Sequence, residues 1–349
     1  MEPHIDDRNA THDTTTAPAR TADAAQRLAA VIYNPVKVDV DELRAAIAAE
    51  PATADWGETL WYETTEEDPG TGQAKRALEA GADLVIAAGG DGTIRAVAEV
   101  LGGTSTSLAL LPSGTGNLLA RNLDLTLDDM ERSINVAYGG VDRRIDLAWA
   151  DIRREGGDVE RAAYLVMAGF GLDAKMLANT DEELKAKVGW LAYVDAIRKA
   201  LRDKNHMRMR YRVDRHNAHS VSAHTLIIGN CGSLPANVLL LPTAAIDDGR
   251  FEAVFLRPES AWGWLQILVK VVWENGVLRR TKWGRKLAAR DVDAVRYVRG
   301  QRMDVVLSHP EEVELDGDTF GRAEALRTWI DAGALTVRVP AGEEEPTAA

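Results

Sequence analysis

The chain reads as an α/β domain followed by a β-rich one: an N-terminal doubly wound parallel sheet and a C-terminal, mainly antiparallel β domain. Three observations predict this. Short apolar runs alternate with helical patterns from Leu28 to Ala137, two glycine-rich turns each follow such a run, and beyond Asp142 strand patterns continue with few helices between them. Strands alternating with helices of this length imply parallel pairing through right-handed crossovers.

Met1 to about Gln26 is rich in Thr, Ala and Asp and nearly devoid of large apolar side chains, so residues 1–27 are expected to form a disordered tail. Structure should start at Leu28–Tyr33, a strand ended by Asn34-Pro35, with a helix over about Asp39–Glu50. A strand over Thr59–Thr64 follows, then a loop at Asp68-Pro69-Gly70 and a helix through Gln73–Ala80. Leu84, Val85 and Ile86 mark a buried parallel strand that runs into Gly89-Gly90-Asp91-Gly92-Thr93, and a helix should begin near Thr93 and continue through Ile94–Leu101. Ser107–Leu111 is the next strand, leading into Pro112-Ser113-Gly114-Thr115-Gly116-Asn117 and helices at Leu118–Arg121 and Asp128–Ala137.

Residues 28–142 thus form the α/β domain. Residues 143–329 form the β-rich domain, with strands at Arg144–Ala150, Ala162–Ala168, Met207–Val213, Ser220–Gly229, Phe251–Leu256 and Met303–Leu307. One long helix interrupts it, because Leu184, Val188, Leu191, Val194, Ile197 and Leu201 make a single stripe over about Asp181–Arg202. A last strand at Leu335–Val339, within a segment of about 330–340, precedes an acidic tail at 341–349.

At 349 residues with 46% apolar side chains, two cored domains are affordable, and fibrous or wholly disordered readings fail. A net charge of −13 argues against broad binding to nucleic acid or to an anionic bilayer, since both need a positive field; membrane contact has to be local. One cysteine, Cys231, excludes an intramolecular disulfide and suits a reducing cytoplasm. The N-terminus lacks a basic region and an apolar core, so no signal peptide is expected, and Ala261–Trp273 is too short and polar to span a bilayer.

A glycine-rich strand-to-helix turn lets backbone amides approach an anion, and the helix N-terminus adds partial positive charge, so Gly89, Gly90, Gly92 and Thr93 form a phosphate seat. Asp91 inside that seat would repel phosphate unless it binds magnesium, orients water or accepts a proton from an attacking hydroxyl. That combination suggests phosphoryl transfer. The second turn lies one strand and one helix later, and both should sit beyond the C-terminal strand ends, where open α/β sheets bind ligands. Thr115 and Asn117 have the chemistry to hold a ribose, base or phosphate, although Thr115 could equally serve as a helix N-cap.

These two turns, taken together, resemble the diacylglycerol kinase catalytic-domain family, which includes sphingosine kinases and bacterial lipid kinases. The resemblance extends from about Ala29 to Pro340 through Asn34-Pro35, Arg144-Ile145-Asp146-Leu147, Ala168-Gly169-Phe170-Gly171-Leu172-Asp173-Ala174, Ile246-Asp247-Asp248-Gly249 and Leu315-Asp316-Gly317-Asp318. It implies ATP and Mg2+, with Asn34, Gly89, Gly90, Gly92, Thr93, Gly114, Thr115, Asn117, Asp316 and Gly317 at the nucleotide. It also implies Asp91 at the catalytic magnesium, Asp146 near the acceptor hydroxyl, Asp318 as a candidate base shared with Asp91, and Asp247 and Asp248 as a turn or a structural magnesium site. The implied reaction moves the γ-phosphate of ATP to a primary hydroxyl of a lipid, foremost diacylglycerol, giving phosphatidic acid.

Departures from the family pattern are visible. Asp318 stands where Glu is usual, Ala96 replaces a frequent Glu, Leu118 a frequent Asp, and Val36-Lys37 a frequent Ser-Gly. Alternatives are a sphingoid-base or ceramide kinase, an NAD kinase, which shares a Gly-Gly-Asp-Gly turn, and a noncatalytic nucleotide or lipid sensor. Lys37 is either a phosphate contact or, more simply, a solvated loop lysine. Val277 to Arg290, with Arg279, Arg280, Lys282, Arg285, Lys286 and Arg290 and no acid, is a candidate for transient membrane contact, joined by Trp262 and Trp264, against the plainer reading of an exposed helix. His216, His219 and His224 read as a polar turn rather than a metal site. The expected partners are therefore a lipid substrate and a membrane surface, not nucleic acid, with a homodimer left open, for a cytoplasmic protein that meets the membrane during turnover.

Overall fold

The computed structural model describes residues 26–171, 206–234, 238–239, 241, 243–257 and 295–341. The predicted helix over Asp181–Arg202, the basic segment Val277 to Arg290, Trp262, Trp264 and Leu172 to Ala174 lie outside the described residues.

The first half runs β1 (Ala29–Tyr33), α1 (Val40–Ala49), β2 (Leu60–Glu63), α2 (Thr71–Glu79), β3 (Leu84–Gly89), α3 (Asp91–Leu101), β4 (Ser107–Pro112), α4 (Leu118–Asn122) and α5 (Met130–Gly139). Its four strands lie in the order β2-β1-β3-β4, all parallel. Side chains of a strand alternate between faces, and here both faces are apolar. Ala30, Ile32, Val85 and Ala87 point to α2 and α3, where they meet Ala74, Ala77, Ile94, Val97 and Leu101. Ala29, Val31, Leu84 and Ile86 point the other way, to Leu43 and Ile47 of α1 and Ile134 and Tyr138 of α5. Helices therefore cover both sides of the sheet. Side chains start two of them: the Asp39 carboxylate accepts from the amides of Asp41 and Glu42 at 3.0 and 3.1 Å, and Asp129 accepts from Arg132 at 2.9 Å.

The second half contributes β5 (Val141–Arg153), β6 (Val159–Tyr164), β7 (Met167–Phe170), β8 (Met207–Val213), β9 (His219–Ala223), β10 (Thr225–Gly229), β11 (Ser233–Leu234), β12 (Val238–Leu239), β13 (Phe251–Leu256), β14 (Val295–Gly300), β15 (Arg302–Leu315) and β16 (Asp318–Val339). Their mutual pairings are antiparallel, around a core that includes Phe170, Tyr164, Tyr211, Phe251, Phe255 and Val305. The architecture is thus an α/β domain joined to a β-rich one.

Both halves share one sheet of 14 strands. The joint is β16, 22 residues long: it pairs with β15, then with β5, and near its end Val337 lies parallel to Leu108 of β4. The expected short strand at Leu335–Val339 is only its tail. Arg322, Arg327 and Asp331 break up any clean apolar alternation, which hid the rest.

Two further expected strands divide. Ser220–Gly229 breaks at His224, so that β9 pairs with β8 while β10 pairs with β7 and β13. Ala162–Ala168 breaks at Leu165 and Val166, whose amides are taken by a side chain instead of a neighbouring strand. That side chain is Asp316.

Candidate active site

The Gly89–Thr93 turn joins β3 directly to α3. Gly90 occupies the N-cap position and no side chain caps this helix, so its first amides remain available to an anion. Glycine is required at position 89 by space, since a Cβ there would lie 2.9 Å from Thr93 Cβ, whereas one on Gly90 would lie 2.5 Å from Lys37 Nζ and displace only the end of that side chain. Thr93 is buried against Gly89, so its side chain supports the turn from behind.

The second turn is fastened to the first. Ser113 donates its amide to Gly89 O at 3.0 Å, and a Cβ on Gly114 would come within 2.9 Å of Gly90 Cα. Asn117, in the left-handed region at φ 46, folds its amide side chain onto Gly114: Oδ1 accepts from the Gly114 amide at 3.1 Å and Nδ2 donates to its carbonyl at 2.8 Å. Asn117 therefore shapes the turn, and only Thr115 stands out at its exposed tip.

Asp91 links the two. Its Oδ1 accepts from the Leu118 amide at 2.6 Å, and its Oδ2 lies 2.5 Å from where a Gly116 Cβ would be. Burial pushes this carboxyl above the ordinary range, the Leu118 and Asn117 amides hold it down, the Asp318 charge adds to the rise and Lys37 opposes it. Asp318, first residue of β16, reaches over from the other half of the chain: its Oδ2 sits 3.1 Å from the Cβ position of Gly92. Arg95, one helical turn beyond Asp91, grips the same oxygen at 3.3 Å and lies 4.6 Å over the Phe320 ring.

Two cations therefore accompany the carboxylates: Lys37, which is solvent-exposed as its plainer reading expects, and Arg95, which the sequence reading does not single out. Lys37 is brought over Gly90 by Asn34, whose Oδ1 accepts from Val36 at 3.0 Å and whose carbonyl accepts from the amides of Lys37 and Val38. Asn34 is thus a shaper of that loop. Arg95 carried a usable signal, since positions four apart on a helix share a face with the first residue, Asp91. Beside the second turn, a cavity of about 210 Å3 is lined by Val38, Leu111, Pro112, Leu127, Asp129 and Met130 among others.

Residues 28–150 match the model of the diacylglycerol kinase catalytic domain. A Pseudomonas aeruginosa PAO1 protein named "Probable lipid kinase YegS-like" is 31% identical over 312 residues, 86% of this chain and 91% of that protein. The chain belongs to the diacylglycerol kinase catalytic-domain family. A relative of the same name in Pseudomonas fluorescens Pf-5 is 29% identical over 92% of this chain and 98% of its own length. Among solved structures, a diacylglycerol kinase from Bacillus anthracis str. Sterne shares the fold at a TM-score of 0.59 and 17% identity, covering 90% of this chain and 96% of that one. Yeast NADH kinase in complex with NADH shares it at 0.51 and 10% identity, covering 92% of this chain and 85% of that one.

Within this lipid kinase of the diacylglycerol kinase family, three predicted site residues are built into the frame. Asp316 and Gly317 form the two-residue hairpin between β15 and β16, with φ values of 50 and 88, the signs a type I′ turn demands at both positions. The Asp316 side chain turns inward: Oδ2 accepts from Leu165 at 2.7 Å, and Oδ1 from Val166 at 2.8 Å and Met167 at 3.0 Å. Burial pushes its carboxyl up to about 6, against those three amides and Arg95. Its side chain is therefore withdrawn from a nucleotide and aims the β15–β16 hairpin that delivers Asp318.

Asp146 is likewise enclosed, 1% exposed, with Oδ2 accepting from Gly249 at 2.6 Å and Oδ1 from Gly333 at 2.8 Å. Both carboxylate oxygens are thus engaged by backbone amides, which ties the 247–249 loop to a bulge in β16. Asp247 and Asp248 pair with Arg143 and Arg299. Among the described residues no cluster of three or more His, Cys, Asp or Glu is placed to hold a metal, and no helix is long and apolar enough to cross a membrane. Cys231 is buried, which drives its thiol well above the usual range.

Proposed function

We propose that the chain transfers the γ-phosphate of ATP to the primary hydroxyl of diacylglycerol. The observation that carries this reading is the convergence of Asp91, Asp318, Arg95 and Lys37 on an uncapped helix N-terminus between two interlocked glycine turns. The α3 amides and Lys37 would receive the triphosphate. The cavity beside Pro112 has walls suited to a planar base.

The donors also fit magnesium, which binds kinase sites through one or two carboxylates plus substrate phosphates, and Asp91 would supply such a carboxylate, with the charge of Asp318 close enough to raise its proton affinity. When bound, the ion supplies charge neutralisation across the transferred phosphoryl group. The residues divide the remaining work. Asp91 is recessed and engaged by Leu118, so it anchors. Asp318 is half-exposed and keeps its second oxygen free of Arg95, so it takes the proton of the attacking hydroxyl. The hydroxyl oxygen forms the new bond to phosphorus as the bond from phosphorus to the β–γ bridging oxygen breaks, and ADP leaves with that electron pair.

The test uses purified protein with magnesium and γ-labelled ATP on micelles carrying diacylglycerol, ceramide or sphingoid base, with NAD in a parallel reaction. Labelled phosphatidic acid is expected. Label on a sphingoid product or on NADP alone, or on nothing, overturns the reading.

A further inference from the structure

We infer that the solvent face of the β8, β9, β15, β16 and β5 strands is a docking surface for an anionic lipid bilayer. The inference deepens the lipid kinase reading and rests on it for the choice of a membrane.

Strand β8 reads Met-Arg-Met-Arg-Tyr-Arg-Val. Met207, Met209, Tyr211 and Val213 are buried, so alternation sends Arg208, Arg210 and Arg212 to solvent. Strand register then sets what lies beside them. Arg212 stands opposite Asp304, Asp304 opposite Arg327, Arg327 opposite Asp151, and Asp151 opposite Arg161. The row alternates in sign across five strands, with ion pairs of 2.9 Å at Arg212–Asp304, 2.9 Å at Arg327–Asp304 and 2.7 Å at Arg161–Asp151. Both acids of the row are thereby paired.

The next row contains none. It runs Ser220, Arg210, Val306, Ala325, Arg153 and Val159, with Arg208 and Ser222 paired just beyond. Neither Arg208 nor Arg210 is ion-paired among the described residues, and a groove of about 510 Å3 lies between them, Ser220, Ser222 and Ser308. Unpaired guanidinium groups on alternate positions of one strand repel each other unless an anion meets them, and guanidinium binds phosphate through paired N–H donors.

Charge selects the partner's sign: the chain carries −13 overall, yet these two rows and Arg208 together present Arg153, Arg161, Arg208, Arg210, Arg212 and Arg327 against Asp151 and Asp304. The apolar residues select its class. Val306 is 44% and Val159 60% exposed within the arginine row, an interleaving that suits headgroups with acyl chains beneath and has no counterpart on a nucleic-acid backbone. The face also adjoins the catalytic turn. Its far end is covered by α3, where Glu99 accepts from the Ala163 amide at 2.9 Å, and α3 begins at Asp91. Strand β16 carries both Arg327 and Asp318.

The test is co-sedimentation of the full chain with vesicles of phosphatidylcholine alone or mixed with phosphatidylglycerol. Binding to the anionic vesicles only, lost in about 0.5 M salt, is expected. The double variant Arg208→Glu/Arg210→Glu should weaken it by roughly a hundredfold, while Arg208→Lys/Arg210→Lys keeps most of it. Both variants should phosphorylate micelle-dispersed diacylglycerol at the native rate, which separates docking from chemistry. Unchanged binding of the Glu variant, or binding of duplex DNA in place of vesicles, overturns the docking surface even where kinase activity stands. Arginine-dependent vesicle binding without turnover of any lipid upholds the surface and rejects the reading it grew from.

Discussion

The Leu118 amide donates to Asp91 Oδ1 at 2.6 Å, so the carboxylate of the first glycine turn caps the helix that follows the second. Asp91→Asn preserves an acceptor oxygen for Leu118 and removes the charge. Turnover should fall by about a thousandfold, while the thermal midpoint stays within a few degrees of native. Labelled-ATP assays and circular dichroism on the same sample check both halves; full turnover in a folded variant would remove Asp91 from the chemistry.

Gly114 and Gly90 touch backbone to backbone, and a Cβ on Gly114 has only 2.9 Å to the Gly90 Cα. Backbone cannot step aside as a flexible side chain can. Gly114→Ala should therefore spread the two turns and raise the KM for ATP on the order of tenfold or more, with a smaller change in the lipid KM. Gly103→Ala is the control for glycine loss away from the site: its Cβ would meet nothing within 4 Å, although its φ of 77 costs some stability.

Asp316 predicts a pH dependence. Its carboxyl is pushed up to about 6 in the folded chain from an ordinary 3.8. Between those values the folded chain holds a proton that the unfolded chain has released, so this group's contribution favours folding at the acid side and declines as pH rises through the window, by about 3 kcal/mol in all. Urea midpoints of the native chain and of Asp316→Asn should therefore converge or cross with a relative loss for the native chain between pH 4 and 6 and run parallel above about pH 7. A native-minus-variant difference that stays flat across the window would place the carboxyl at its ordinary value.

Much of this was legible beforehand, for identifiable reasons. Strands β1, β3 and β4 are short continuous apolar runs because helices cover both their faces, and of the glycines that follow, Gly89 is compelled by the Thr93 side chain and Gly114 by the Gly90 backbone. Asp-Gly before Asp318 carried a hairpin signal that was legible but was read as a nucleotide motif; the inward turn of Asp316 depends on where Leu165–Met167 pass, which is set by tertiary packing. The amides that hold Asp146 were hidden in the same way, because Gly249 and Gly333 lie 103 and 187 residues away. Strand β16 was hidden because its solvent side is charged and its partners change along its length.

Asp318 and Arg95 give the sharpest test of the proton's destination. Arg95 Nη2 holds Asp318 Oδ2 at 3.3 Å, and stacking on Phe320 fixes the guanidinium in turn. One carboxylate oxygen is thereby oriented while the side chain stays half-exposed. Asp318→Asn should lower kcat by about a hundredfold with the ATP KM nearly unchanged, because the lost function is proton acceptance and not nucleotide binding. Asp318→Glu should retain substantial activity, since it keeps the carboxylate and lengthens its reach. Arg95→Ala should lower kcat less than Asp318→Asn does, and pairing it with Asp318→Asn should add little, as expected of two residues acting as one unit. Near-native kcat in Asp318→Asn would move the proton to Asp91, the other carboxylate at the turn, and leave Asp318 a binding role that an elevated KM would register.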